Sequence, residues 1–177
     1  RPLIRVAVPF APMTAYILMG VSGAGKTTVG KRVSSDLGLS FYEGDDFHPP
    51  ENVAKMSSGI PLTDEDRGPW IDALVAALNS RQGGDAIVAC SALSKFVRER
   101  IRSSIKEPVQ FILLTGTPEV IEERLRKRGK HYMKAGMLAS QFAALQMPSQ
   151  AHQVSVEQPL DEVVAEVKGI IRGEVTK

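Results

Sequence analysis

Eight consecutive residues, Gly20-Val21-Ser22-Gly23-Ala24-Gly25-Lys26-Thr27, satisfy the pattern GxxxxGK[ST] in full. An apolar run, Tyr16 to Met19, precedes them, and Thr28 to Leu37 reads as a helix with Val29 and Val33 on one face. Strand, glycine turn and helix form the context in which this motif becomes a phosphate site. Glycines let the backbone curl so that successive N–H groups converge on one anion, and the helix N-terminus adds partial positive charge. The expected phosphate contacts are Gly20, Ser22, Gly23, Ala24, Gly25, Lys26, Thr27 and Thr28. Lys26 brings a full charge for the β/γ phosphates, and the Thr27 hydroxyl suits Mg²⁺.

A second polar cluster, Gly44-Asp45-Asp46-Phe47-His48-Pro49-Pro50, follows the strand-like Phe41-Tyr42-Glu43. A carboxylate there would face the phosphate loop, and Asp45 is placed to orient or deprotonate a hydroxyl attacking the γ-phosphate. Asp46 and His48 are weighed equally as site residues or as parts of a turn closed by Pro49 or Pro50 at a helix start. Further on, Thr63 with Asp66 has the shape of a capping box, and Asp64 and Glu65 suit a first helical turn. Arg67 does not suit it, since a cation there opposes the helix dipole; it implies an anionic substrate or an acidic partner. Trp70 fits a core or a pocket wall equally.

Cys90-Ser91-Ala92-Leu93 closes a third strand without the acidic metal ligand that many phosphate-loop enzymes carry there. Ser91 reads either as a contact to metal-bound water or substrate, or as a helix N-cap. Cys90 reads as a buried small apolar residue. In the basic run Arg124 to His131, Arg124 and Arg128 stand four apart and share a helix face, with Gly129 breaking the helix after them. Two arginines beside a flexible turn suit a closing lid that stabilises charge on a transferring phosphoryl group.

The elements that must position these groups follow from periodicity. Strand candidates are Tyr16–Met19, Phe41–Glu43, Ala86–Cys90, Val109–Leu114 and Val154–Val156. Helical spacing appears over Thr28–Leu37, Trp70–Arg81, Lys95–Ile105, Glu119–Lys127 and Leu160–Ile171. Alternation of this kind predicts an α/β fold of three layers, a five-stranded parallel sheet with helices on both faces and a mobile lid near residues 124–140. Ligands in such sheets sit at the carboxyl ends of the strands, where all the polar clusters fall.

With 177 residues, 43% apolar and 24% charged, the chain reads as one ordinary globular domain over residues 15–177. A net charge of +2 gives no argument for nucleic acid, and no groove-reading motif accompanies the basic run. No apolar run reaches the length of a membrane span, so no membrane partner is expected. The single cysteine agrees with a reducing cytoplasm. Residues 1–14 are expected to be an N-terminal extension with little order. Within them Arg1 to Pro12 reads as an extension, an expression remnant or a misplaced start, and its three prolines and lack of a small-residue cleavage signal argue against a secretory leader.

Taken together these blocks resemble the gluconokinases, small phosphate-loop kinases related in fold to shikimate and nucleoside monophosphate kinases. The resemblance runs from Tyr16 to Ile171. It rests on GVSGAGKT, GDxxHP at Gly44 to Pro49, KMxxGxPLxDxDRxPW at Lys55 to Trp70, CSAL at Cys90 to Leu93, RxxxRxxH at Arg124 to His131, and MLxSQFxxLxxP at Met137 to Pro148. It implies transfer of the ATP γ-phosphate to the 6-hydroxyl of D-gluconate, with Mg²⁺, in a cytoplasmic homodimer. By that likeness Lys26, Asp45, Arg124 and Arg128 are catalytic, and Arg124 also contacts the nucleotide. Asp45, His48, Lys55, Arg67, Ser91 and Arg98 serve the sugar acid, and Thr27 the metal. Departures from the family pattern lie at Ser94, Val97, Arg98 and Ala143. A kinase for another small hydroxyl compound, such as shikimate or a nucleotide, is the second reading. A nucleotide-binding switch is the third, although the chain lacks the guanine-reading NKxD motif.

Overall fold

The computed structural model describes residues 13–128 and 135–174. Strand and helix alternate along the chain: β1 (Ala15–Met19), α1 (Lys26–Leu37), β2 (Ser40–Glu43), α2 (Pro50–Ser57), α3 (Asp64–Ser80), β3 (Ala86–Ala89), α4 (Lys95–Ser104), β4 (Val109–Thr115), α5 (Pro118–Lys127), α6 (Ala135–Ala144), β5 (Ala151–Ser155) and α7 (Leu160–Ile171). A single 3₁₀ turn, Gly44–Phe47, follows β2. The five strands form one parallel sheet in the order β2-β3-β1-β4-β5. This is the α/β architecture that the alternation predicts.

Side chains on β1 point alternately to the two faces, so the strand feeds two cores. Ile17 and Met19 pack with Trp70, Leu74, Leu78, Val88, Ile101 and Phe111 under α3 and α4. Tyr16 and Leu18 pack with Val29, Val33, Ile87, Ile112, Val163 and Val167 under α1 and α7. Val33 is fully buried and Val29 nearly so; each such side chain contributes roughly 1.5–3 kcal/mol by leaving water. Burial on both faces explains why β1 and β3 read as continuous apolar runs. The strand order places β1 between β3 and β4, so the chain diverges to either side of it and leaves a crevice above its carboxyl end.

Several boundaries differ from the sequence expectation. Helix α3 starts at Asp64, before Trp70, because Thr63 and Asp66 close the full reciprocal capping box: Asp66 N–H donates to Thr63 Oγ1 and Thr63 N–H to Asp66 Oδ2. Such a cap stabilises by about 1 kcal/mol and carries the helix through Pro69, which is exposed. Strand β5 begins at Ala151 and ends at Ser155. His152 and Gln153 are polar and lie on the sheet edge, so this stretch lacks the apolar signature. Helix α6 is absent from the elements that periodicity predicts, and α2 enters the sequence reading only as the helix start at Pro49 or Pro50. Pro50 does occupy the first position of α2. Thr14, assigned above to the extension, already donates through its N–H to Asp85 Oδ1 at 2.8 Å. Residues 1–12 lie outside the described residues, as does the part of the expected lid over 129–134. Among the described residues no helix is long and apolar enough to cross a membrane.

Candidate active site

The loop between β1 and α1 adopts the left-handed backbone that its glycines permit. Gly20, Gly23 and Gly25 have φ of 147°, 86° and 94°. At Gly23 packing adds a second requirement, since a Cβ would lie 2.8 Å from Leu125 Cγ of α5. Gly25 is the N-cap of α1, so Lys26 and Thr27 open that helix with their N–H groups unclaimed by the helix itself. The loop is held from below by Gly20 N–H donating to Ser91 O at 3.2 Å. From the far side, Ser22 N–H donates to Gln141 Oε1 of α6 at 2.6 Å.

Lys26 lies over this loop, its Nζ donating to Gly20 O at 2.9 Å and Val21 O at 3.0 Å. Burial lowers its pKa, while the nearby charges of Asp45 and Glu43 pull it back up and Arg128 lowers it further. Those four residues therefore share one electrostatic neighbourhood, although they come from α1, the segment after β2, β2 itself and the end of α5. Cys90 belongs to the floor beneath: it is buried, its thiol pushed up to about 12 by desolvation. That agrees with its reading as an inert apolar residue.

Glu43, the last residue of β2, was read only as strand. Its Oε2 accepts a 2.5 Å hydrogen bond from Thr27 Oγ1. Its partner opens α1, 16 residues away, and only the fold brings the two together, so the sequence alone does not mark Glu43. The pair supplies hard oxygen donors from two elements, which fits Mg²⁺. Among the described residues no group of three or more His, Cys, Asp or Glu could hold a metal unaided. Glu43→Gln is expected to raise the Mg²⁺ concentration needed for half-maximal turnover by roughly tenfold, the loss of one charge-assisted contact. A Mg²⁺ titration of initial rates at saturating ATP checks it.

The 3₁₀ turn after β2 carries the second cluster. Gly44 is buried so tightly that a Cβ would meet Ala89 O at 2.6 Å, which brings the turn against the end of β3. Asp45 is exposed, with its Oδ1 3.8 Å from His48 Nε2. Asp46 is also exposed. The His48 ring stacks on Trp70 at 4.2 Å between centroids and 17° between planes. Trp70 is buried and donates from Nε1 to Gly44 O at 2.7 Å. Trp70 is thus a core residue, with one ring face against His48. Burial lowers the His48 pKa; Asp45 raises it and Arg67 lowers it.

Lys55 reaches Asp66 with both carboxylate oxygens at 2.8–2.9 Å. Those hydrogen bonds, with the capping contacts from Thr63, hold Asp66 at a pKa of about 2. Arg67 pairs with Asp64 at 3.2 Å, three residues earlier on the same helix.

One expected site residue has another role in the fold. Arg98 is buried, and its guanidinium donates to Ala92 O, Leu93 O and Gln146 O at 2.5–2.9 Å. It therefore clamps the loop after β3 to the chain leaving α6. Sequence reading cannot separate such a clamp from an anion ligand, because its partners are carbonyls. Ser91 is not a helix N-cap: that role falls to Ser94, whose Oγ accepts from Val97 N–H. The Ser91 main chain instead ties β3 to the phosphate loop. Arg124 donates to Val156 O just beyond β5, while Arg128 ends α5 and is exposed.

The geometry is that of a loop able to wrap a polyphosphate, with an exposed carboxylate opposite. A family model described as an AAA domain matches residues 17–144. The thermoresistant gluconokinase of Escherichia coli K12 is 41% identical over 163 residues, covering 89% of this chain and 93% of that protein. The chain belongs to the gluconokinase family. A gluconokinase of Arabidopsis thaliana is 43% identical over 143 residues, covering 73% of this chain and 76% of its own length. The crystal structure of a gluconokinase from Sinorhizobium meliloti 1021 superposes with a TM-score of 0.82 at 41% identity, over 92% of this chain and 94% of that one. A family member of this kind is a phosphate-loop kinase using ATP.

Proposed function

We propose that this chain transfers the γ-phosphoryl group of ATP to the 6-hydroxyl of D-gluconate. The observation that carries the proposal is the exposed Asp45 carboxylate standing within the electrostatic reach of Lys26 in the phosphate loop, on a chain whose relatives are gluconokinases. Main-chain N–H groups of residues 20–28 and the Lys26 ammonium hold the triphosphate. Asp45 accepts the proton of the attacking hydroxyl, or holds that hydroxyl in line. Arg128 and Arg124, near the end of α5, offset charge on the phosphoryl group in flight. For Arg124 this means exchanging Val156 O for a phosphate oxygen.

Thr27 Oγ1 and Glu43 are the residues that would hold Mg²⁺, which when bound neutralises charge on the β and γ oxygens. For gluconate, an anionic polyol, the cations Arg67 and Lys55 and the donors His48 and Ser91 line the acceptor side. Arg67→Ala is expected to raise the KM for gluconate roughly tenfold with that for ATP held, as suits one charge-assisted contact to a carboxylate. Steady-state kinetics with each substrate varied in turn decides this.

The homodimer and the cytoplasmic location rest on the family likeness, the lone reduced cysteine agreeing with the latter. Sedimentation of the purified chain measures the former. The activity itself is tested by a coupled assay of ADP release with ATP·Mg and a panel of gluconate, other sugar acids, shikimate and nucleotides. Turnover with shikimate or a nucleotide and none with gluconate would overturn the assignment.

A further inference from the structure

Asn52 lies on α2 and is 2% exposed, a buried polar side chain. Its Nδ2 donates to Asp66 O at 2.8 Å. A main-chain carbonyl only accepts, so this contact fixes which end of the amide is nitrogen. The same Nδ2 lies 3.2 Å from His48 Nδ1. An amide nitrogen only donates, so Nδ1 must carry its lone pair. The remaining ring nitrogen, Nε2, then bears the hydrogen, and it is the one that faces Asp45 Oδ1. Stacking on Trp70, itself anchored to Gly44 O, keeps the ring in that plane.

We infer that Asn52 is a positioning residue that holds His48 as the neutral Nε2–H tautomer, so that the imidazole presents a donor, and not a full positive charge, to the Asp45 carboxylate. The inference rests on the reading of Asp45 as the group that handles the acceptor hydroxyl. A neutral donor orients the carboxylate while leaving it basic, whereas an imidazolium at the same place would make it a poorer proton acceptor. Protonating His48 would set an Nδ1–H against the Asn52 N–H, so the amide opposes the charged form directly. The charged side chains acting on the ring, Asp45 from the 3₁₀ turn and Arg67 from α3, pull in opposite directions. On the tautomer, the carboxylate facing Nε2 favours the same Nε2–H form that the Asn52 amide selects from the Nδ1 side.

Long-range ¹H–¹⁵N correlation of the ¹⁵N-labelled full chain at neutral pH reads the tautomer without substrate. His48→Gln identifies the His48 signals among the three histidines. The expected spectrum shows a protonated Nε2 and a bare Nδ1 for His48. A protonated Nδ1, or averaging over both nitrogens, overturns the inference. In Asn52→Asp the side chain accepts in place of donating, so the Nδ1–H form should gain population and kcat should fall roughly tenfold with the KM for ATP unchanged. A normal kcat in a variant whose tautomer has shifted overturns the positioning role. Should that variant fail to fold, the wild-type spectrum still decides the tautomer. The Nε2–H signature in a protein with no gluconate-stimulated turnover would count against the gluconate reading and not against the tautomer assignment.

Discussion

Asp45→Asn should lower turnover by roughly a thousandfold, within the usual range for loss of a general base. Nucleotide affinity should hold or tighten slightly. The reason is electrostatic: Asp45 is the strongest of the nearby charges acting on Lys26, and its carboxylate also faces the incoming phosphates. Removing that charge relieves repulsion toward the triphosphate while leaving the loop amides untouched. The carboxylate is exposed, and His48 at 3.8 Å is its ion-pair partner among the described residues, so the fold should lose little; its unfolding free energy should change by less than about 1 kcal/mol. Stopped-flow or single-turnover measurement separates the chemical step from binding, and calorimetry reports the ATP affinity. Wild-type turnover in a folded Asp45→Asn protein would remove Asp45 from the mechanism.

Lys26→Met should lower kcat by roughly a thousandfold as well, and here ATP affinity should fall too, by roughly tenfold or more. The methionine keeps the length of the stem but offers no charge to the β/γ phosphates. Stability should behave differently from activity. Burial lowers the Lys26 pKa below 10.5, so between the folded and unfolded values the unfolded chain binds more protons. Wild-type stability therefore rises with pH across that window. Lys26→Met lacks the titrating group, so this contribution disappears. Denaturant melts of both proteins through the alkaline range check the sign. An equal slope in the two would mean that the ammonium is not held in a desolvated place.

The nucleotide half of the site was legible in the sequence because its parts are local. Loop glycines, lysine, threonine and the flanking strand and helix all lie within a few residues, so spacing carries the geometry. Asp45 and His48 were legible by the rule that sites gather at strand ends. Glu43, Gln141 and Asn52 were not, since each acts through a partner that only the tertiary structure supplies: Thr27 across the crevice, Ser22 from 119 residues away, and the His48 ring. Arg98 shows the converse. Its charge suggested a ligand for the sugar acid, but the chain folds three carbonyls around it. Helices α2 and α6 follow the same logic. The exposed apolar side chains Val53 and Met56 on α2 break the usual link between periodicity and burial.

Trp70 is the chain's single tryptophan, and it lies flat against the imidazole on the acceptor side of the crevice. Its indole emission is therefore a native optical probe: an imidazole in stacking contact quenches according to its charge and distance, and excitation at the red edge of the indole band leaves the three tyrosines dark. Titrating the sugar acid and the nucleotide separately would then sort ligand events by the half of the crevice in which they occur, with no label attached.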